Sequence, residues 1–154
     1  MIVVDTNVPA ARNLTGTKPD LAKQVEQIDP VWILPQLWRY EVQNILATAV
    51  RVRQITPDNA MAIWQDVSSR MSTNEHDASS ERVIELFTRH KITAYDANFI
   101  ALAMEMKVFC VTEDTELQEK FPDKALSMAE FVRLSQAKTQ VRETHAMYRV
   151  RRKR

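Results

Sequence analysis

The sequence predicts an α/β fold, a three-layer α/β/α domain around a central parallel sheet of about five strands. Three observations carry this expectation. Short apolar runs rich in β-branched residues alternate with longer stretches of helical periodicity. The runs are continuously apolar rather than alternating, as expected of strands covered on both faces. One Gly and six Pro in 154 residues are too few for a loop-rich or low-complexity chain. Strands separated by helices imply βα crossovers and hence parallel pairing.

The elements follow in order. Ile2–Val4 is the first strand, and Leu21–Ile28, behind Pro19-Asp20, is a helix. Val31–Leu34 is the second strand, and a helix over Gln36–Arg53 starts just after Pro35. Thr56-Pro57 supplies an N-cap and a first-turn proline for a helix over Asp58–Met71. Helices over Ser79–His90 and Tyr95–Met106 flank a short strand at Ile92–Thr93, and Val108–Thr112 is a further strand. Thr115–Lys120, a weak strand at Ala125–Ser127 and a helix over Met128–Ala137 complete the pattern. With no internal repeat or linker, residues 1–137 read as one domain and 138–154 as a basic C-terminal tail.

Composition narrows the function classes. No apolar run approaches the roughly 20 residues of a membrane span. The apolar start is too short for a signal peptide and is broken by Asp5. Cys110 is the only cysteine and lies in Val108-Phe109-Cys110-Val111, which suits a buried thiol in a reducing compartment, so a cytoplasmic protein is expected. The net charge of +1 conceals an asymmetry: seven of the 21 Lys and Arg and one of the 20 Asp and Glu fall in residues 138–154. The tail is therefore locally +6 and the body −5. Arg149, Arg151, Arg152, Lys153 and Arg154 could hold RNA through its phosphates. The alternatives are a solvated terminal tail, or one that docks on the acidic body of a dimer partner.

Four carboxylates stand where solvent would not place them. Asp5 closes the first strand, and an isolated buried carboxylate is costly unless paired, hydrogen-bonded or bound to a cation. Glu41 has Leu37, Trp38 and Ile45 among its helical neighbours at three and four residues, so it borders the apolar stripe. The alternative is an edge Glu paired with a nearby Arg. Asp96 has Phe99 and Ile100 below it, yet Thr93-Ala94-Tyr95-Asp96 also matches a capping box. Asp114 follows the Val108–Thr112 strand and could equally cap the next helix. Brought into one cleft, the four would repel and raise one another's pKa unless cations neutralised them. An oxygen-only set suits Mg²⁺ or Mn²⁺. His76 and His90 are too far apart in sequence, and His145 too remote, for a zinc site.

Taken together, Asp5-Thr6-Asn7-Val8, Pro35 to Val42 (PQLWRYEV), Thr93-Ala94-Tyr95-Asp96-Ala97 and Val111-Thr112-Glu113-Asp114 resemble the PIN-domain ribonucleases. Within them the chain is most similar to the VapC-type toxins of type II toxin–antitoxin pairs, across about residues 1–130. The resemblance implies that Asp5, Glu41, Asp96 and Asp114 are acidic metal ligands. It implies that Thr6 and Thr112 hold the site through their hydroxyls, with Asn7 as a supporting polar residue. It also implies a homodimer and a small antitoxin protein that inserts a segment near the site. The basic extension beyond about residue 138 departs from the compact family pattern.

The expected activity is metal-dependent hydrolysis of RNA phosphodiester bonds, with Mg²⁺ or Mn²⁺ positioning the phosphate and activating water. Single-stranded RNA suits a recessed acidic site better than a stiff duplex. A catalytically silent PIN-like RNA-binding or protein-interaction domain is the first alternative. An Asp-nucleophile phosphohydrolase is the second, but that chemistry usually needs an acid two residues on, where this chain has Asn7. A nucleotide-binding module lacks its glycine-rich turn, since Gly16 is the only glycine. Trp64, among Ala60, Met61 and Ile63, belongs either to the core or to a dimer or antitoxin face.

Overall fold

Ile2, Val3 and Val4 have no polar side chain to present to water, and the chain places them at the centre of a sheet. The computed structural model describes residues 1–14 and 18–137. Its strands are β1 (Ile2–Val4), β2 (Trp32–Ile33), β3 (Cys110–Val111) and β4 (Ala125–Leu126), all parallel and in the order β2-β1-β3-β4. Register pairs Val3 with Ile33 on one side and with Cys110 on the other. The expected parallel α/β sheet of about five strands is thus present, with four strands among the described residues. Ile92–Thr93 pairs with nothing in the sheet; Thr93 is instead the N-cap of the following helix.

Eight helices flank the sheet among the described residues: α1 (Asn7–Asn13), α2 (Pro19–Ile28), α3 (Trp38–Arg51), α4 (Pro57–Met71), α5 (Ser80–His90), α6 (Ala94–Glu105), α7 (Thr115–Lys120) and α8 (residues 128–137). Alternation along the strands divides the core into two layers. Ile2, Val4, Trp32 and Val111 pack on Val8, Val25, Trp38, Val42, Val67 and Phe131, from α1 to α4 and α8. Val3, Ile33, Cys110 and Ala125 face Val83, Leu86, Phe99, Ile100 and Leu117, from α5 to α7. That is the three-layer arrangement, with no strand face left to solvent.

Start signals act where the sequence puts them. Thr56, Ser79, Thr93 and Asp114 cap α4 to α7, each side chain accepting a first-turn amide. The helix α1 is the element that the periodicity does not announce. It is seven residues long and carries Pro9 in its first turn, where a missing N–H costs nothing. Among the described residues no helix is long and apolar enough to cross a membrane.

The topology fixes where a ligand can bind. From β1 the chain moves outward to β2, then returns to place β3 on the opposite side of β1. The strand order therefore reverses between β1 and β3, and a crevice opens beyond their carboxyl ends. Asp5 and Thr112 are the residues that follow those two strands.

Candidate active site

The β1–β3 ladder continues one step past the strands: the Asp5 amide donates to the Val111 carbonyl at 2.9 Å. This sets Asp5 beside Thr112 at the mouth of the crevice. Thr112 is fully buried, and its hydroxyl donates to Asp5 Oδ2 at 2.6 Å. The same oxygen accepts Asn7 Nδ2 at 2.6 Å. Thr112 Oγ1 also accepts the Asp114 amide at 3.0 Å and lies 3.3 Å from Asn7 Nδ2. Asn7 Oδ1 accepts the Glu113 amide at 3.2 Å, so one asparagine ties the β1 exit to the β3 exit.

Thr6, also buried, turns the other way and donates its hydroxyl to Glu41 Oε2, linking the start of α1 to the first turn of α3. Asp96 sits in the first turn of α6, where Thr93 Oγ1 accepts its amide at 3.1 Å and donates to its Oδ2 at 2.6 Å. Asp114 caps α7 by accepting the Leu117 amide at 3.0 Å. Both capping alternatives for Asp96 and Asp114 are thus present as hydrogen bonds. In the Asp96 box the carboxylate reaches the threonine hydroxyl rather than its amide.

Capping does not remove these carboxylates from the cleft. Burial raises the Asp5 pKa, the Thr112 hydroxyl and the Thr6 amide pull it back, and the charges of Asp96 and Asp114 push it up again. Burial likewise raises Glu41 to about 7, against the bond from Thr6 and with the charges of Asp5 and Asp96 adding to it. The four acids therefore share one field. Among the described residues no Lys, Arg or His lies within ion-pair distance of any of them. Glu41 is accordingly not an edge residue paired with an arginine, as one sequence alternative had it. Arg39, two residues before it, pairs instead with Glu75 at 2.7 Å and stacks on Trp38.

An oxygen-only donor set with uncompensated negative charge fits a hard divalent cation such as Mg²⁺ or Mn²⁺. Among the described residues no three His, Cys, Asp or Glu stand close enough to form a ready-made cage. The acids converge without closing. Cys110 takes no part, since burial first and the Asp5 charge second push its thiol well above the ordinary range.

Two supports were not anticipated from the sequence. Glu113 accepts the Met128 amide at 2.9 Å through Oε1 and pairs with Lys18 through Oε2, anchoring α8 and the entrance to α2 on the β3 exit. Its position directly after buried Thr112 was the available signal. Arg12, at the end of α1, joins Glu26 (3.0 Å) and Asp66 (3.5 Å), which Arg70 bridges at 2.8 and 2.9 Å. This half-buried network fixes the helix that carries Asn7, but partners spread over α1, α2 and α4 leave no mark in local sequence. The tail residues Arg149, Arg151, Arg152, Lys153 and Arg154 lie outside the described residues.

Comparison with known proteins agrees with this fold. No curated protein matches the chain. Among solved structures, PAE2754 from Pyrobaculum aerophilum is similar in fold, with 21% sequence identity, a TM-score of 0.69, and coverage of 88% of this chain and 96% of that one. The PIN domain family model matches residues 2–122, a span that contains all four carboxylates, and the chain belongs to the PIN domain family, a family of nucleases.

Proposed function

We propose that the protein is a Mg²⁺- or Mn²⁺-dependent endoribonuclease acting on single-stranded RNA, and the toxin of a VapC-like toxin–antitoxin pair. The observation that carries this reading is the convergence of Asp5, Glu41, Asp96 and Asp114 at the strand-order switch without a protein cation to balance them. Asp5 and Asp96 are the direct ligands, because a strand exit and a capped helix start hold them rigidly. Glu41 and Asp114 act from the rim, by a bridging water or by orienting the attacking one. When bound, the ion neutralises the cleft, binds the scissile phosphate and lowers the pKa of a water. Thr112 and Asn7 hold Asp5, and Thr6 holds Glu41. No side chain needs to attack the substrate. An Asp nucleophile is disfavoured because Asn7 stands two residues on and its amide is engaged by Asp5 itself.

A homodimer and an antitoxin are part of the proposal. The apolar groove of about 580 Å³ between α3 and α4, lined by Leu46, Val50, Met61 and Trp64, supports such partners. Trp64 is partly buried there and stacks on Trp38 at 5.6 Å. The second reading, a catalytically silent PIN-like RNA-binding or interaction domain, draws on the open spacing of the acids.

One assay separates the two. A labelled single-stranded RNA is incubated with Mg²⁺, with Mn²⁺ and with excess EDTA. Cleavage with either ion and none in EDTA is expected. Cleavage that survives EDTA removes the metal mechanism, and silence with both ions leaves the binding domain.

A further inference from the structure

Eight large hydrophobic residues are exposed among the described residues, and only two of them are aromatic: Tyr40 at 75% and Tyr95 at 64%. Each immediately precedes a carboxylate of the cleft, Tyr40 before Glu41 and Tyr95 before Asp96. They stand on different helices, in the first turns of α3 and α6. Both turns border one apolar layer, because Leu37, the N-cap of α3, packs against the buried cluster to which Ala97 and Ile100 of α6 belong. The other exposed apolar residues are elsewhere. Met1 and Val31 precede β1 and β2 at the opposite end of the strands, and Met61 lines the α3–α4 groove.

Among the described residues neither tyrosine side chain makes a hydrogen bond or a ring contact, so no fold requirement explains a large flat ring at either position. The apolar residues three or four positions from them, Leu37, Ile92 and Phe99, pack into the core. The other neighbours are polar or small: Gln36, Arg39 and Gln43 around Tyr40, and Thr93, Ala94 and Asn98 around Tyr95. A protein partner needs a contiguous apolar patch, which isolated rings among polar groups do not provide. An unpaired nucleobase needs only one ring face, and stacking on it is tolerant of sequence.

We propose that Tyr40 and Tyr95 are stacking platforms for unpaired nucleobases beside the acidic cleft. The pair selects single strands, because a base inside a duplex has both faces already covered. This rests on the nuclease reading for the identity of the ligand, but its test is one of binding. The bases lie on the two rings while the backbone between them passes the acids, which would hold the cation.

The test measures affinity for a fluorescein-labelled eight-nucleotide oligoadenylate by anisotropy in Ca²⁺, alongside an abasic oligomer of the same length. Tyr40→Ala and Tyr95→Ala should each weaken oligoadenylate binding about 5- to 150-fold, while Tyr40→Phe and Tyr95→Phe stay within twofold of the wild type. On the abasic oligomer, wild type and Ala variants should be equal. Both positions are exposed, so the variants should fold, and a thermal melt establishes that. Equal loss on both oligomers, equal loss for Phe and Ala, or no loss at all overturns the proposal. So does a change of oligomeric state at unchanged RNA affinity, which would reassign the rings to a protein contact. Cleavage is measured separately in Mn²⁺. A wild type that shows the stacking pattern but does not cleave loses the nuclease reading alone, and one that cleaves with indifferent tyrosines loses the stacking alone.

Discussion

Thr112 and Asp5 form the clamp on which the cleft is built: the buried hydroxyl donates to Oδ2 at 2.6 Å, and the same hydroxyl oxygen accepts the Asp114 amide. One threonine therefore aims one acid and positions the loop of another. A hydrogen bond to a charged group contributes about 1.5–3 kcal/mol, and leaving its partner unsatisfied costs a similar amount. Thr112→Val is expected to lower stability by about that amount and to reduce RNA cleavage more than tenfold, while Thr112→Ser keeps most of both. Urea midpoints and single-turnover rates on the three proteins check this. A valine variant equal to wild type would show the hydroxyl to be dispensable.

Asp5→Asn has the opposite stability signature. The Asp5 charge is disfavoured by burial and by Asp96 and Asp114, so removing it relieves the metal-free cleft. The melting temperature without metal should hold or rise slightly. Cleavage should fall at least about 100-fold, since charge stabilisation by a bound ion is worth several kcal/mol. A large drop in melting temperature would make Asp5 a structural residue.

Glu41 gives a pH dependence of defined sign. Its pKa is 4.5 ordinarily and about 7 in the fold, so between those values the folded chain holds the proton and the unfolded chain has lost it. The Glu41 contribution to stability is therefore fully present below about pH 4.5, decreases through the window and is gone above about pH 7. Against Glu41→Gln as the reference, the wild type should lose relative stability from pH 5 to pH 7.5 in metal-free buffer. Mg²⁺ should flatten the difference. Paired denaturation curves at the two pH values decide the matter, and a constant difference without metal would return Glu41 to an ordinary carboxyl.

The basic tail predicts a salt effect. Each phosphate neutralised on a single strand adds a slope of about −0.7 in log affinity against log salt. Removing residues 139–154, with most of the local +6, should weaken RNA binding, flatten that slope and leave the cleavage position unchanged. Titrations at two salt concentrations on full-length and shortened chains give the answer. Identical slopes would leave the tail without a role on RNA.

Much of the architecture was legible because it is repeated locally. The strand Ile2–Val4, the Thr56-Pro57 start of α4 and the Asp114 start of α7 are each written in a few adjacent residues, and the structure has them there. Ile92–Thr93 is not a strand: two β-branched residues carry strand preference whether or not the chain brings them to the sheet. The end of α5, with Lys91 in the left-handed region at φ 52°, and the Thr93 cap use that segment as a helix-to-helix link. For Asp96 the sequence posed cap against cleft as alternatives, but one carboxylate can meet a threonine hydroxyl and still charge a neighbouring glutamate. Hidden from sequence were pairs far apart along the chain, such as Thr6 with Glu41 and Glu113 with the Met128 amide.

Thr112 lies 107 residues downstream of Asp5. During synthesis at about 5–20 residues per second, the ribosome delivers Asp5 roughly 5–20 s before the hydroxyl that will aim it. Over that interval β1 also lacks β3, the neighbour on its far side. An unfinished polypeptide that ends before β3 therefore lacks the partner that holds Asp5, and a proteolytic nick that releases the β3 segment takes that partner from the finished one. The clamp closes only after its second half has left the exit tunnel.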